Sequence, residues 1–444
     1  MIRLRPATLS LAFALSAATA LPPLIALPVL AQEAPAAAQQ SPRQTVSAIA
    51  TRIRDLYFDP AKGARIADAL EAEAATGTFD AMTDGPDLAA ALTARLEPDD
   101  AHFNVVYDPA AMGPRPAPGP SLAPPPGPRP PGASPEARNH YGFRRAEILP
   151  GNIGYVEITG FYGIDFADPA DPARKAADSA LAFVAGADAV IFDVRNNGGG
   201  APSMVGYLVS AFTPADAPIY NIFHSREGTE SEAPGVFFPE PRLTTPVYIL
   251  TSARSGSAAE AFPYTMQAAK RATIVGDATR GAANPGGMVP AGGGFAVFVS
   301  GGSPVNPITG RNWEGTGVQP DVATPWDQAL GKAQELALQA IVSNDSQHTD
   351  AAWALEALRA SNAPVDLNSY IGTYGERTVG LVDGQLAIMS GRRPPVVLAP
   401  LGNDLFSVVG DPSRRYRFTV QDGRAVSFDL IAVGGPPMRA RRTD

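Results

Sequence analysis

The chain has 444 residues, with 35 Lys+Arg against 44 Asp+Glu and a net charge of −9. That length suits two to four domains at about 100–200 residues each, and the charge balance excludes the basic field that drives non-specific nucleic-acid binding. With 45% hydrophobic and 18% charged residues it is no disordered acidic chain. Cysteine is absent, which removes disulfides, thiolate nucleophiles, iron–sulfur clusters and a lipid-acylated cysteine. Four histidines (His102, His140, His224, His348) without His-x-x-x-His spacing argue against a zinc hydrolase.

In chain order, Arg3 and Arg5 precede an apolar, small-residue stretch to Ala31, which reads as an export signal over residues 1–31. Cleavage is expected before Gln32 or after Ala18-Thr19-Ala20. An uncleaved anchor is the alternative, but Pro22, Pro23 and Pro28 interrupt any spanning helix. The mature protein is expected to be periplasmic or secreted, with no membrane span. Residues 32–41 are Ala/Gln-rich and read as disordered. Residues 42–108 form an N-terminal helical domain: Val46, Ile49, Ile53 and Leu56, then Leu88, Leu92 and Leu96, fall at helical spacing. Twelve prolines within residues 109–135 define a Pro-rich linker, placed at 109–138, that should form neither helix nor central strand. A ligand for an aromatic-groove partner is its functional alternative.

From residue 139 to 348 strands alternate with helices, as in an α/β layered domain with a largely parallel sheet. Ile153–Ile158, Ala189–Val194, Val247–Thr251, Ala272–Val275 and Phe295–Val299 read as strands. Helices follow Asp171-Pro172, run near 202–212, begin near Ser257, and recur at Leu330–Ile341. Residues 349–364 form a helical connector. Residues 365–444 read as all-β, because Asp383-Gly384 and Asp422-Gly423 each separate strand-like runs.

Four segments carry possible chemistry. Leu250–Phe262, LTSARSGSAAEAF, ends a buried strand and starts a helix at Ser257. Unpaired N–H groups and the helix dipole there favour a developing oxyanion. The same residues spell a capping box, so Ser257 is either a nucleophile or a helix cap. Asp193–Gly200, DVRNNGGG, offers bare backbone donors or simply a tight turn; it is neither a Walker A loop nor a dinucleotide fingerprint. His102, in Asp99-Asp100-Ala101-His102, is a candidate general base or an ordinary surface histidine. Glu314, within NWEGTGVQPD, could orient an imidazole or be an exposed loop acid.

Together these segments, with ATIVGDATRGAANPGG between them, resemble the tail-specific (C-terminal processing) serine proteases. The resemblance is to the branch of the tricorn core protease and the interphotoreceptor retinoid-binding protein modules, over roughly residues 42–345. It implies an α/β, crotonase/ClpP-like catalytic domain between the helical and all-β domains. It further implies Ser257 as nucleophile, His102 as base, Glu314 as its carboxylate, and an oxyanion hole from Gly199, Gly200 and Ala258. Where many relatives carry a catalytic lysine this chain has Ala282, and Lys270 is too far along its helix to serve, which leaves Ser–His–Glu. Ala101 replaces a serine that helps relay the histidine to its carboxylate. Glu314 is therefore expected to reach His102 directly or through Ser255. His224 is the reserve base, and His140 and His348 read as structural. No PDZ-like segment is read between the helical and α/β parts. The expected activity is that of a serine-type endopeptidase acting on a peptide or protein, without metal or organic cofactor. A non-catalytic binder of retinoid or fatty-acid-like ligands and an esterase are the alternatives. Oligomeric state is not readable from the sequence.

Overall fold

A computed structural model describes residues 40–109, 134–360 and 365–444. The expected export segment 1–31, residues 32–39, the proline stretch 110–133 and connector residues 361–364 lie outside the described residues. Among the described residues no helix is long and apolar enough to cross a membrane.

Three helices open the described chain: α1 (Pro42–Leu56), α2 (Pro60–Ala75) and α3 (Gly85–Leu96). Each starts on an oxygen-bearing cap, Ser41, Asp59 or Asp84, with proline in the first turn where its missing N–H is no loss. Ser41 makes a complete capping box with Gln44, so the expected disorder to residue 41 stops short of it. Val46, Ile49, Ile53, Leu70 and Leu92 are fully buried between these helices, each contributing about 1.5–3 kcal/mol of burial. Strand β1 (Val105–Tyr107) follows. The linker expectation needs one correction: α4 (Pro135–Arg138) is a turn of helix capped by Ser134. Proline at the first helical position starts a helix rather than breaking it.

The α/β part contains β2 (Phe143–Leu149), β3 (Ile153–Ile158), α5 (Pro172–Phe183), β4 (Ala189–Asp193), α6 (Pro202–Ser210), β5 (Ile222–Ser225) and β6 (Thr229–Ser231). It continues through β7 (Val247–Thr251), α7 (Ala258–Ala268), β8 (Thr273–Gly276), β9 (Gly286–Gly292), β10 (Phe295–Ser300), β11 (Gly302–Val305), β12 (Val322–Ala323), α8 (Ala329–Asn344) and α9 (Thr349–Arg359). The main sheet has the order β12-β8-β7-β4-β3-β2; β3, β4, β7, β8 and β12 are parallel and β2 is antiparallel. Alternation along β4 sends Val190 and Phe192 into the core beneath α5, α6 and α7, and Ala189 and Ile191 into the core beneath α8 and α9. Two three-stranded sheets, β11-β5-β6 and β1-β10-β9, flank it. The second joins the helices to the α/β part: Ala291, Phe295, Val297 and Val299 pack into the α1–α3 core.

Eight antiparallel strands in simple succession finish the chain: β13 (Gly372–Tyr374), β14 (Arg377–Val382), β15 (Gln385–Met389), β16 (Val396–Gly402), β17 (Leu405–Val408), β18 (Asp411–Gln421), β19 (Arg424–Ala432) and β20 (Met438–Arg441). An antiparallel bridge between Tyr374 and Arg442 ties the first edge to the last, so the meander curls into a barrel. Its interior is filled by rings of Tyr370, Tyr374, Phe406, Phe418 and Phe428. Asp383 and Asp422 take positive φ (50° and 52°), as tight hairpin turns require. Arg415 anchors the barrel to α9: it donates to Glu356 (2.7 Å) and the Trp353 carbonyl (3.1 Å) and lies 4.3 Å over the Trp353 ring.

Candidate active site

β4 and β7 are neighbouring parallel strands, so the loops leaving their C-terminal ends emerge side by side. Ser252 Oγ donates to the Arg195 carbonyl (2.6 Å), Ser255 Oγ to the Val194 carbonyl (2.8 Å), and Gly256 N–H to the Asn197 carbonyl (3.2 Å). This stitching places Gly199 against Ser257. A Cβ added to Gly199, at φ +120°, would stand 2.8 Å from Ser257 Cβ. A Cβ on Gly200 would strike the Phe161 carbonyl at 1.9 Å, where Phe161 and Gly200 form a parallel bridge. Both glycines are therefore required by close approach. Gly199 N–H donates to Asn197 Oδ1 (2.8 Å).

Ser257 caps α7, yet its φ of +55° and ψ of −123° are not those of an ordinary cap. Such a conformation costs on the order of 1–3 kcal/mol and persists only where the surroundings enforce it. The enforcing group is Glu260, fully buried. Its carboxylate accepts from Ser257 N–H (2.8 Å), Gly281 N–H (2.7 Å), Ala282 N–H (2.9 Å) and Thr279 Oγ (2.5 Å). The capping pattern in the sequence is present, but the glutamate also ties the segment 279–282 to the helix start. Ala282, at the missing-lysine position, is buried and offers its N–H to that carboxylate.

Glu314 does the same for the next residues. Its Oε2 accepts from Ala283 N–H (2.6 Å) and Asn284 N–H (3.1 Å), and its Oε1 from Ala101 N–H (3.0 Å). Ser257 and Ala101 are thereby pinned to opposite ends of the short segment 281–284, whose full extension is about 10–14 Å. His102 stacks on Phe298 (ring centroids 5.6 Å apart). Its Nδ1 is buried without a hydrogen-bond partner, 3.8 Å from Glu314 Oε2 and 3.6 Å from Asp100 Oδ1. The Ser255 relay is not formed, because that hydroxyl is spent on Val194 and on Ser252 N–H. His224 sits exposed on β5. His348 lies between Asp188 and Asp350 (3.1 and 2.7 Å), and His140 precedes β2 at a positive φ of 52°.

Asp100 and Glu260 are the residues that sequence reasoning missed. Asp100 Oδ2 accepts from Tyr57 OH (3.1 Å), Asn284 Nδ2 (3.2 Å) and Ser300 Oγ (2.6 Å), and Oδ1 from His102 N–H (2.9 Å). Burial pushes its pKa up, but hydrogen bonds from His102, Ser300 and Asn284 outweigh this and hold it well below the usual carboxylate range. Glu314 moves the other way: burial and the charge of Asp100 raise it, against backbone donors and His102. Burial and Asp100 also raise the Tyr57 phenol. Asp100, His102 and Glu314 offer three ligand atoms within 4.8 Å of one another, enough to hold a cation. Their carboxylate oxygens already serve N–H and O–H donors, which suits handling a proton better than ligating an ion.

A cavity of about 920 Å³ opens beside these loops. Pro202 and Ser203 line it just beyond the glycine turn, Pro285 and Gly286 just beyond Asn284, and Phe223, Thr229 and Glu230 on the far wall. Strand β6 is an edge strand along this wall.

Residues 152–324 match the family model of peptidase family S41. Among solved structures, the photosystem II D1 C-terminal processing protease is 23% identical, covering 39% of this chain and 43% of its own length, with a TM-score of 0.32. The chain thus spans less than half of that relative. A lipoprotein from Streptococcus agalactiae is 13% identical over 68% of this chain and 97% of its own, with a TM-score of 0.42. The tricorn protease is 16% identical over 44% of this chain and 18% of its own, with a TM-score of 0.26.

Proposed function

We propose that the chain, whose residues 152–324 match the model of peptidase family S41, is a serine-type endopeptidase acting outside the cytoplasm. Ser257 Oγ attacks the peptide carbonyl while His102 takes its proton. The oxyanion is held by Ala258 N–H, unpaired at the start of α7, and by the turn at Gly199 and Gly200, with Gly199 N–H shared with Asn197. His102 then protonates the leaving amine, and water releases the acyl group. Glu314 lies beside the imidazole and stabilises its charged form. The single observation that carries this reading is the strained φ of Ser257 beside the glycine turn. A helix cap has no need of that conformation, whereas a hydroxyl presented on a sharp strand-to-helix turn has.

The cleft has features that would suit a peptide. The wall offers an unpaired strand edge for main-chain hydrogen bonds and polar residues such as Thr229 and Glu230. The barrel interior is filled by aromatic rings, which leaves a retinoid-like ligand no place there. A fluorophosphonate probe should label the wild-type chain at Ser257 and leave Ser257→Ala unlabelled. Peptide cleavage by the variant should fall by three orders of magnitude or more. An unlabelled wild type, with the variant cleaving peptides equally well, would remove the proposal.

A further inference from the structure

We propose that Asp100 is the positioning carboxylate of His102, and that Glu314 acts first as the clamp that joins segment 283–284 to Ala101. The inference rests on the peptidase reading above and names a residue outside the Ser257–His102–Glu314 set.

Lone-pair accounting separates the two acids. Glu314 Oε2, the oxygen nearer the imidazole, already accepts two backbone N–H groups, from Ala283 and Asn284. Asp100 Oδ1 accepts one, from His102 N–H, and keeps a lone pair facing the orphaned Nδ1 at 3.6 Å. With Nδ1 bonded to Asp100, Nε2 is the nitrogen left to serve the serine. The Asp100 side chain is completely buried, whereas Glu314 keeps 18% exposure. Three donors hold Asp100 Oδ2, from the C-cap of α1 (Tyr57), β10 (Ser300) and the 281–284 segment (Asn284). Such bracing from separate elements fixes the aim of a carboxylate. The pKa directions of the two acids agree with this: Asp100 is held below the usual carboxylate range, while burial and the Asp100 charge raise Glu314. The other charged groups nearby are engaged elsewhere. Lys62 Nζ donates to the Asp99 carbonyl, Arg226 to the Tyr57 carbonyl, and Asp59 caps α2.

The test compares Asp100→Asn with Glu314→Gln in the full chain. In Asp100→Asn, kcat should fall on the order of 10²–10⁴-fold with KM within about threefold. The acid limb of its pH–rate profile should move to lower pH, because the imidazolium loses its partner. Glu314→Gln should shift that limb less. Ser300→Ala removes a donor from Asp100, makes its carboxylate more basic, and should move the limb upward; this variant keeps the carboxylate should Asp100→Asn fail to fold. Titration of the His102 ring by NMR in the Ser257→Ala background reads the same coupling without any turnover. An acid limb unmoved in Asp100→Asn and Ser300→Ala but displaced in Glu314→Gln overturns the inference. Loss of probe labelling at Ser257 in the wild type would instead overturn the peptidase reading, and the ring titration would still decide on Asp100.

Discussion

Ser257 keeps its left-handed backbone because one buried carboxylate, Glu260, holds its N–H together with two from the following loop. A second buried acid behaves differently. Glu232 is 3% exposed, with Oε2 accepting from Asn221 Nδ2 (2.6 Å) and Oε1 without a partner. Burial pushes its pKa up to about 8, against the hydrogen bonds of Asn221. The folded chain therefore keeps this proton while the unfolded chain has lost it. The stabilising contribution is complete below the unfolded value of 4.5 and is lost as pH rises through about 8. Across that window the loss amounts to at most about 5 kcal/mol. Glu232→Gln should flatten the wild-type decline between pH 5 and 8 in urea unfolding, and an unchanged decline would show that Glu232 ionises freely in the fold. At this scale the sequence singled out Ser257, His102 and Glu314 as candidates only through four segments taken together and the family they resemble, since each residue alone also reads as a helix cap, a surface histidine or a loop acid. Asp100 and Glu260 were hidden. One reads as the first letter of a D-x-H motif and the other as half of a capping box. Their partners at 279, 284 and 300 are distant in the chain.

Among the elements, the pair of loops after β4 and β7 shows how topology builds a site. The parallel strands were visible as short apolar runs between turn residues, and one helix start as the Asp171-Pro172 signal. The meeting of Gly199 with Ser257 was not, because it depends on which strands become neighbours. Gly199→Ala should test the meeting directly. Its Cβ would stand 2.8 Å from Ser257 Cβ and 2.9 Å from the Gly256 carbonyl, at a φ of +120°. Probe labelling of Ser257 should slow on the order of 10²-fold or more, with a stability cost of about 1–3 kcal/mol by chemical denaturation. Labelling at the wild-type rate would place the oxyanion donors elsewhere. The β9–β10 hairpin is the other lesson. Phe295–Val299 reads as a strand of the α/β part, and Gly286-Gly287, Pro290 and Gly292 do not read as a strand at all. Yet β10 pairs with β1 and β9 and fills the helical core. Pairing across such a span leaves no local signature.

For the whole molecule, the division into helical, α/β and all-β stretches followed from changes in hydrophobic period, and two barrel hairpins from their Asp-Gly turns. Barrel closure rests on the Tyr374–Arg442 bridge between ends of the module, which no window of sequence reveals. The modules contribute unequally to the proposed chemistry. Phe103, 2% exposed and stacked on Tyr57, secures the helical core next to His102. Phe428 does the same inside the barrel. Each cut to alanine should cost about 3–5 kcal/mol. Phe103→Ala should depress peptide cleavage at temperatures where the sheet stays folded by circular dichroism, and Phe428→Ala should leave kcat near wild type. Equal losses in both would make the barrel part of the catalytic unit.

His102 and Ser257 grow out of different hydrophobic cores, joined by a three-stranded ribbon and by the Glu314 and Asn284 hydrogen bonds to residues 100 and 101. A chain in which only the α/β half has condensed would already display its hydroxyl and its glycine turn, but with nothing to accept the proton. On the chemistry proposed here, that immature species is inert. On that same reading, docking of the ribbon would be the step that completes the site.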